Sequence, residues 1–365
     1  MPEAPASSRQ GALFSRRGLL AITFLCTLVL LLGGVATLKR RSAAAAGLAR
    51  KPKKHAAAAL RHEALGPPYD ELKPLFLAMG APIPGDWLYE HSEPGQPVAE
   101  YLASNPRRPT PERRTLYLQP IGDFDETQQR LIDDTLRWTE AFFGLPTKLL
   151  PPIPLSAVPE EARRVHPSWG VKQLDARFLL NDLLLPRIPA DAMAYLGLTT
   201  VDLFPEPSWN FVFGMASYRQ GVGVWSIARF GDPSESEEAY RDTLMSTAAT
   251  ATHEIFHMFS VSHCVAWECL ENGSNSLDES EGRPIHLCPS CLKKLCWSTD
   301  CELTARFERM EQLSKQLGFT FEARYYRKAL IKLGAAPPDS LPPYVPPDPE
   351  PEPAAPPAPA EEAAP

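Results

Sequence analysis

The stretch from His253 to Cys291 constrains this chain more than any other. It opens His253-Glu254-Ile255-Phe256-His257 and runs on to His263-Cys264, so three of the chain's eight histidines fall within eleven residues. Four of its seven cysteines also lie here: Cys264, Cys269, Cys288 and Cys291. Positions i and i+4 of a helix share a face, so His253 and His257 can offer two imidazole nitrogens to one ion. Glu254 sits one residue round, where its carboxylate can act on a water instead of binding the ion. A turn after the helix could return His263 as a third ligand. Three protein ligands leave one position open, which is the arrangement of a catalytic zinc, with Glu254 as general base. The plainer reading is a helix whose histidines make ordinary hydrogen bonds.

The cysteines give a second signal. Cys288-Pro289-Ser290-Cys291 is a C-x-x-C knuckle, and Cys264 and Cys269 form a C-x4-C pair. Four thiolates in two close pairs read as a closed, structural zinc site, so two Zn2+ ions are expected in all. Two disulfides or buried free thiols are the alternatives. Cys296 and Cys301 could pair with each other or stay free.

Taken together, these motifs resemble the archaemetzincins, a family of zinc metallopeptidases also called archaelysins. The resemblance continues upstream through Val201-Asp202-Leu203-Phe204, Trp209 to Gly214 and Gly221-Val222-Gly223-Val224. It implies a metzincin-like zincin domain of the α/β (α+β) class, with a mixed twisted sheet and an active-site helix. It further implies a catalytic zinc on the three histidines, a second zinc on the four cysteines, and aminopeptidase-like activity on small peptides. Two positions depart from the family. Its helix-ending glycine is Ser260 here, which would have to adopt a positive φ at a cost of about 1 kcal/mol. Its methionine, the apolar floor below the zinc, is Glu271. That carboxylate could ligate the metal, make its water less acidic, or face solvent. The departures motivate a second reading, a catalytically weak zinc-binding protein that serves as an interaction partner.

The remaining sequence sets the frame. A hydrophobic share of 44% over 365 residues fits a chain with a substantial core. A net charge of −7 argues against nucleic acid as a partner. Residues 1–17 form a polar N-terminal segment. Residues 18–38 hold 21 residues without a charge, long enough to span a bilayer as one transmembrane helix. A cleaved signal peptide and a buried helix are the alternatives. Lys39, Arg40, Arg41, Arg50, Lys51, Lys53 and Lys54 follow it, so the positive-inside rule places the catalytic domain on the cytosolic side of a single-pass membrane protein. A soluble cytosolic protein or a lumenal type II arrangement are the alternatives. The cytosol also suits reduced cysteine ligands and an unused sequon at Asn272-Gly273-Ser274. Residues 39–64 read as a basic, Ala-rich linker, 65–334 as the metallopeptidase domain, and 335–365 as a disordered Pro/Ala/Glu-rich tail. That tail is a weak candidate for SH3 or WW binding.

Within the domain, Thr115 to Pro120 predicts a strand, and Asp123 to Glu126 opens a helix in capping-box style that Gly144 and Pro146 stop. Thr147 to Leu155, Thr199 to Phe204, Phe211 to Phe213 and Val222 to Phe230 predict strands. Pro189 to Leu196 predicts a short helix. Helix is expected from Ser234 through the histidines, and again over Glu302 to Leu317 and Phe321 to Leu333. Peptide substrates are expected to align along edge-strand backbone near Trp209–Phe213 or Val222–Ser226.

Overall fold

Two sheets order the domain. In the computed structural model, which describes residues 54–341, the larger sheet runs β2 (Thr147–Leu149), β1 (Thr115–Ile121), β5 (Ala192–Thr199), β8 (Val222–Ser226), β7 (Gly214–Ser217). Its pairs are parallel except β7 with β8, which makes β7 an antiparallel edge. The smaller sheet orders β3 (Arg163–Val165), β4 (Lys172–Asp175) and β6 (Asp202–Phe204).

Strand β1 shows why the large sheet is a central layer. Leu116 and Leu118 pack into one apolar cluster with the helices, while Tyr117 and Ile121 pack into a second cluster on the other face. Alternate side chains of a strand point to opposite faces, so a strand buried on both faces reads as a continuous apolar run. Strand β5 does the same, with all eight residues buried. This corrects the helix expected over Pro189 to Leu196. A run of Ala-Met-Ala-Tyr-Leu-Gly-Leu-Thr carries no period-2 signal because neither of its faces meets water.

The helix Glu126–Phe143 begins at Asp125, whose side chain accepts from the Gln128 backbone while Gln128 answers to the Asp125 backbone. Such a cap contributes about 1 kcal/mol. Gly144 ends that helix at φ 65, the left-handed region glycine tolerates best. The long helix Glu237–His257 starts on a Ser236 cap and packs under the large sheet. Three further helices, Pro289–Thr299, Leu303–Gln316 and Thr320–Lys332, add to the same apolar cluster, with Leu303–Gln316 packed on Glu126–Phe143.

Other expectations need adjustment. Phe211 to Phe213 makes only a bridge, Leu203 to Val212. The edge strand lies one step later, at Gly214–Ser217, and β8 is internal to the sheet. The stretch expected as a strand to Leu155 forms a strand only over Thr147–Leu149, with one further bridge from Ile153 to Ile121. The helix Lys54–Arg61 closes the expected linker, and its Leu60 packs on the core. Cys296 and Cys301 pair as a disulfide.

The membrane expectation is corrected. Among the described residues no helix is long and apolar enough to cross a membrane. The longest, Glu237–His257, has the length but carries Glu237, Glu238, Arg241, Asp242 and Glu254. The segment behind that expectation, residues 18–38, lies outside the described residues, as does most of the expected tail, residues 342–365.

Candidate metal centre and its cleft

The structure brings His253, His257 and His263 together. Their candidate ligand atoms all lie within 4.8 Å of one another. His253 and His257 come from the last turn of the long helix. The chain then reverses at Ser260, whose φ of 67 is left-handed, and so carries His263 back. The strained serine has compensating partners. Its Oγ accepts from the Arg107 backbone N–H at 3.1 Å, and its carbonyl accepts from Gln96 Nε2 at 3.1 Å.

Each ring is oriented through Nδ1. His253 Nδ1 lies 3.1 Å from the Leu270 carbonyl, and His257 Nδ1 lies 2.8 Å from the Val261 carbonyl. His263 Nδ1 lies 2.9 Å from Glu93 Oε1. A hydrogen bond at Nδ1 fixes the tautomer and leaves the Nε2 lone pair for a metal. Burial, with His257 and His263 adding to it, holds the His253 pKa well below its ordinary value. The ring therefore stays neutral, which is the ligating form. These observations fit a metal to the three rings.

Glu254 is buried beside them, and burial pushes its carboxyl up to about 7, with His257 opposing and Glu271 adding. The edge strand β7 packs directly on it. A Cβ at Gly214 would sit 2.5 Å from Glu254 Oε1, so only glycine lets the strand lie that close. The group opens into a cleft of about 650 Å3, lined on one side by Trp209, Phe211, Phe213 and Met215.

Glu271 is fully buried, so the solvent-facing option is closed. Its carboxylate stands 3.0 Å from His257 Nδ1 and 3.8 Å from His253 Nδ1. That places it against the ring nitrogens turned away from the metal side, so it is not a ligand. Neither carboxylate oxygen has a hydrogen-bond partner, and burial pushes the carboxyl well above its ordinary range. A buried carboxyl occupies the floor.

Cys264, Cys269, Cys288 and Cys291 form the second group, all buried, with sulfur atoms within 4.8 Å of one another. Cys288 caps the helix Pro289–Thr299, its sulfur accepting from the Cys291 N–H. Asn272 ties the first pair. It accepts from the Cys269 N–H at 2.8 Å and donates to the Cys264 and Trp267 carbonyls at 2.6 and 3.0 Å. That buried, fully engaged amide leaves no room for a glycan at the sequon. Hydrogen bonds from the other three thiols hold Cys264 well below its ordinary pKa, while burial pushes Cys269 and Cys288 up. Four buried sulfurs converging within 4.8 Å are a donor set that fits a cation, which they bind as thiolates.

Sequence reasoning missed the supports. Glu93, Gln96, Tyr101 and Arg107 brace the turn from His257 to His263 across 170, 164, 158 and 153 positions. Trp87 joins them, its Nε1 donating to Glu93 at 3.0 Å and its ring set edge-on to His263 at 5.2 Å. No spacing rule links residues so far apart.

Three oriented imidazoles beside a buried carboxyl in a cleft are the donor set of a metal-dependent hydrolase. The profile of Peptidase family M54 matches residues 148–296. Archaemetzincin-2 of Macaca fascicularis is 34% identical over 284 residues, covering 69% of this chain and 77% of that protein. Archaemetzincin-2 of Homo sapiens shows the same identity and coverage, 34%, 69% and 77%. Among solved structures, archaemetzincin from Methanopyrus kandleri is 27% identical, covers 53% of this chain and 99% of that chain, and superposes with a TM-score of 0.43. This chain belongs to the archaemetzincin family of zinc metallopeptidases.

Proposed function

We propose that the chain hydrolyses peptide bonds, in aminopeptidase fashion on small peptides, with Glu254 as general base. His253, His257 and His263 hold one zinc, and Cys264, Cys269, Cys288 and Cys291 hold a second, structural one. The observation that carries this reading is the set of three rings, each engaged at Nδ1, beside buried Glu254 in the cleft. Zinc bound there supplies a Lewis acid that polarises a carbonyl and makes water more acidic. Glu254 takes the proton of the attacking water on its carboxylate and returns it to the departing amine nitrogen. Its burial keeps bulk water from competing for that proton.

An extended peptide can add to the outer edge of β7, beside Glu254. The alternatives expected from sequence are less suited. Strand β8 is internal, and the carbonyls of Pro207, Trp209 and Asn210 already accept from Arg164.

Short peptides with free and with acetylated N-termini test the reading on zinc-loaded protein. Hydrolysis restricted to free N-termini, and lost in Glu254→Gln, is expected. Equal cleavage of acetylated peptides overturns the aminopeptidase assignment. One observation favours the second reading of weak activity: a carboxyl, not an apolar side chain, floors the histidines. Hydrolysis unchanged by Glu254→Gln would support it.

A further inference from the structure

The loop from Phe204 to Phe213 that walls the cleft exposes large aromatic surface yet is heavily braced. Trp209 is 43% exposed. Arg164 donates to the carbonyls of Pro207, Trp209 and Asn210 at 3.1, 2.7 and 3.1 Å. Gln173, itself fully buried, donates to Asn210 at 2.8 Å. Asp202 fixes Arg229 through two hydrogen bonds of 2.8 and 2.7 Å, and that guanidinium lies 3.7 Å from the centre of the Phe211 ring. Trp169, 47% exposed, continues the aromatic surface outward, 6.2 Å from Phe211.

A tryptophan on an ordinary surface loop needs no such scaffold. Three carbonyls tied to one guanidinium hold the backbone in a single shape, so the rings are set in place before anything binds. With those carbonyls engaged, the wall presents aromatic side chains instead of backbone acceptors: Arg229 covers one side of Phe211 and lies 5.0 Å from the Trp169 ring centre, His166 stacks on Trp169, and Trp209 is exposed. The cations of the cleft are also committed, Arg177 to Glu206 and Arg283 to Glu268 and Glu279. Recognition on this wall is therefore apolar.

We propose that Trp209 and Phe211, extended by Trp169, form a preorganised shelf that receives an aromatic or large aliphatic side chain of the peptide substrate. The shelf runs without a break into the cleft that holds Glu254, so its occupant belongs to the same peptide. This inference rests on the peptidase reading above.

The full, zinc-loaded chain is assayed with short peptides that carry Phe, Leu, Ala or Asp at each position flanking the cleaved bond. A preference for Phe or Leu at one position is expected. Trp209→Ala should raise KM for the Phe peptide by about tenfold or more with kcat little changed. The Ala peptide should respond far less, and Trp209→Phe should recover most of the loss. Equal effects on the Phe and Ala peptides, or no preference in the parent, overturn the shelf. If no peptide is cleaved, the peptidase reading fails, and titration calorimetry with the same peptides decides the shelf alone. Tighter binding of the Phe peptide that is lost in Trp209→Ala supports it, and equal binding of Phe and Ala peptides overturns it.

Discussion

The histidine group and the cysteine group share one stretch of chain but are held differently. The ties of the cysteine group are mostly local, although Leu77 and Met79 also bond to its loop at Glu268 and Ala266. Its four sulfurs, the Cys288 helix cap and the Asn272 tie all fall between Cys264 and Cys291. In the histidine group two rings are turned by nearby carbonyls, those of Leu270 and Val261. The third ring and the turn that carries it depend on Glu93, Gln96, Tyr101 and Arg107, all upstream of the region matched by the family profile. A closed site can be built by its own loop, because the metal and the knuckle shape each other. An open site must keep one face clear for substrate, so its rigidity comes from the rest of the fold.

Breaking the cysteine site should have the largest effect. Cys288→Ser should unfold or aggregate the domain, because structural zinc contributes roughly 10 kcal/mol or more in small zinc modules. A thermal melt like that of the parent would show that the four cysteines are not a structural site. Glu254→Gln attacks the open site without touching its frame. It should lower kcat/KM by about 10²- to 10⁴-fold while the melt stays near the parent's. Full activity in that variant would remove Glu254 from the chemistry.

Glu93→Ala separates the two regions most sharply. Loss of a partner that orients a ligand histidine typically costs about 10- to 100-fold in metal affinity. Chelator competition should show that weakening at the histidine group alone, with Glu93→Gln losing less and the cysteine zinc untouched. Unchanged affinity would reduce Glu93 to a packing residue. The smallest expected effect is a gain. Glu271→Met removes a buried carboxyl without hydrogen-bond partners, which costs about 1–3 kcal/mol, and should raise the melting temperature. A lower melting temperature would mean that the carboxyl has a partner in the metal-loaded protein.

The same division explains what could be read in advance. The ligand candidates follow from helical spacing and knuckle spacing, both short-range rules. Ser260 and Glu271 could be singled out because they stand at fixed distances from those ligands. The left-handed turn at Ser260 is as expected, whereas the burial of Glu271 could not be chosen from three options, because it depends on what packs around the turn. Glu93 and Arg107 were illegible, since a carboxylate or a guanidinium far upstream carries no mark of its partner. The central strand Ala192–Thr199 was misread in part because burial on both faces erases the alternation that identifies strands. The bracing of the aromatic wall by Arg164 and Gln173 was hidden for the same long-range reason.

The contrast between the two groups is tested most directly by counting zinc in the purified full chain before and after mild chelation. The expected result is two zinc ions per chain, of which one leaves under the chelator with the fold and melting temperature nearly retained, and the other leaves only as the domain unfolds. A stoichiometry of one or zero, or release of both ions from a chain that stays folded, would contradict the division into an open centre and a structural one.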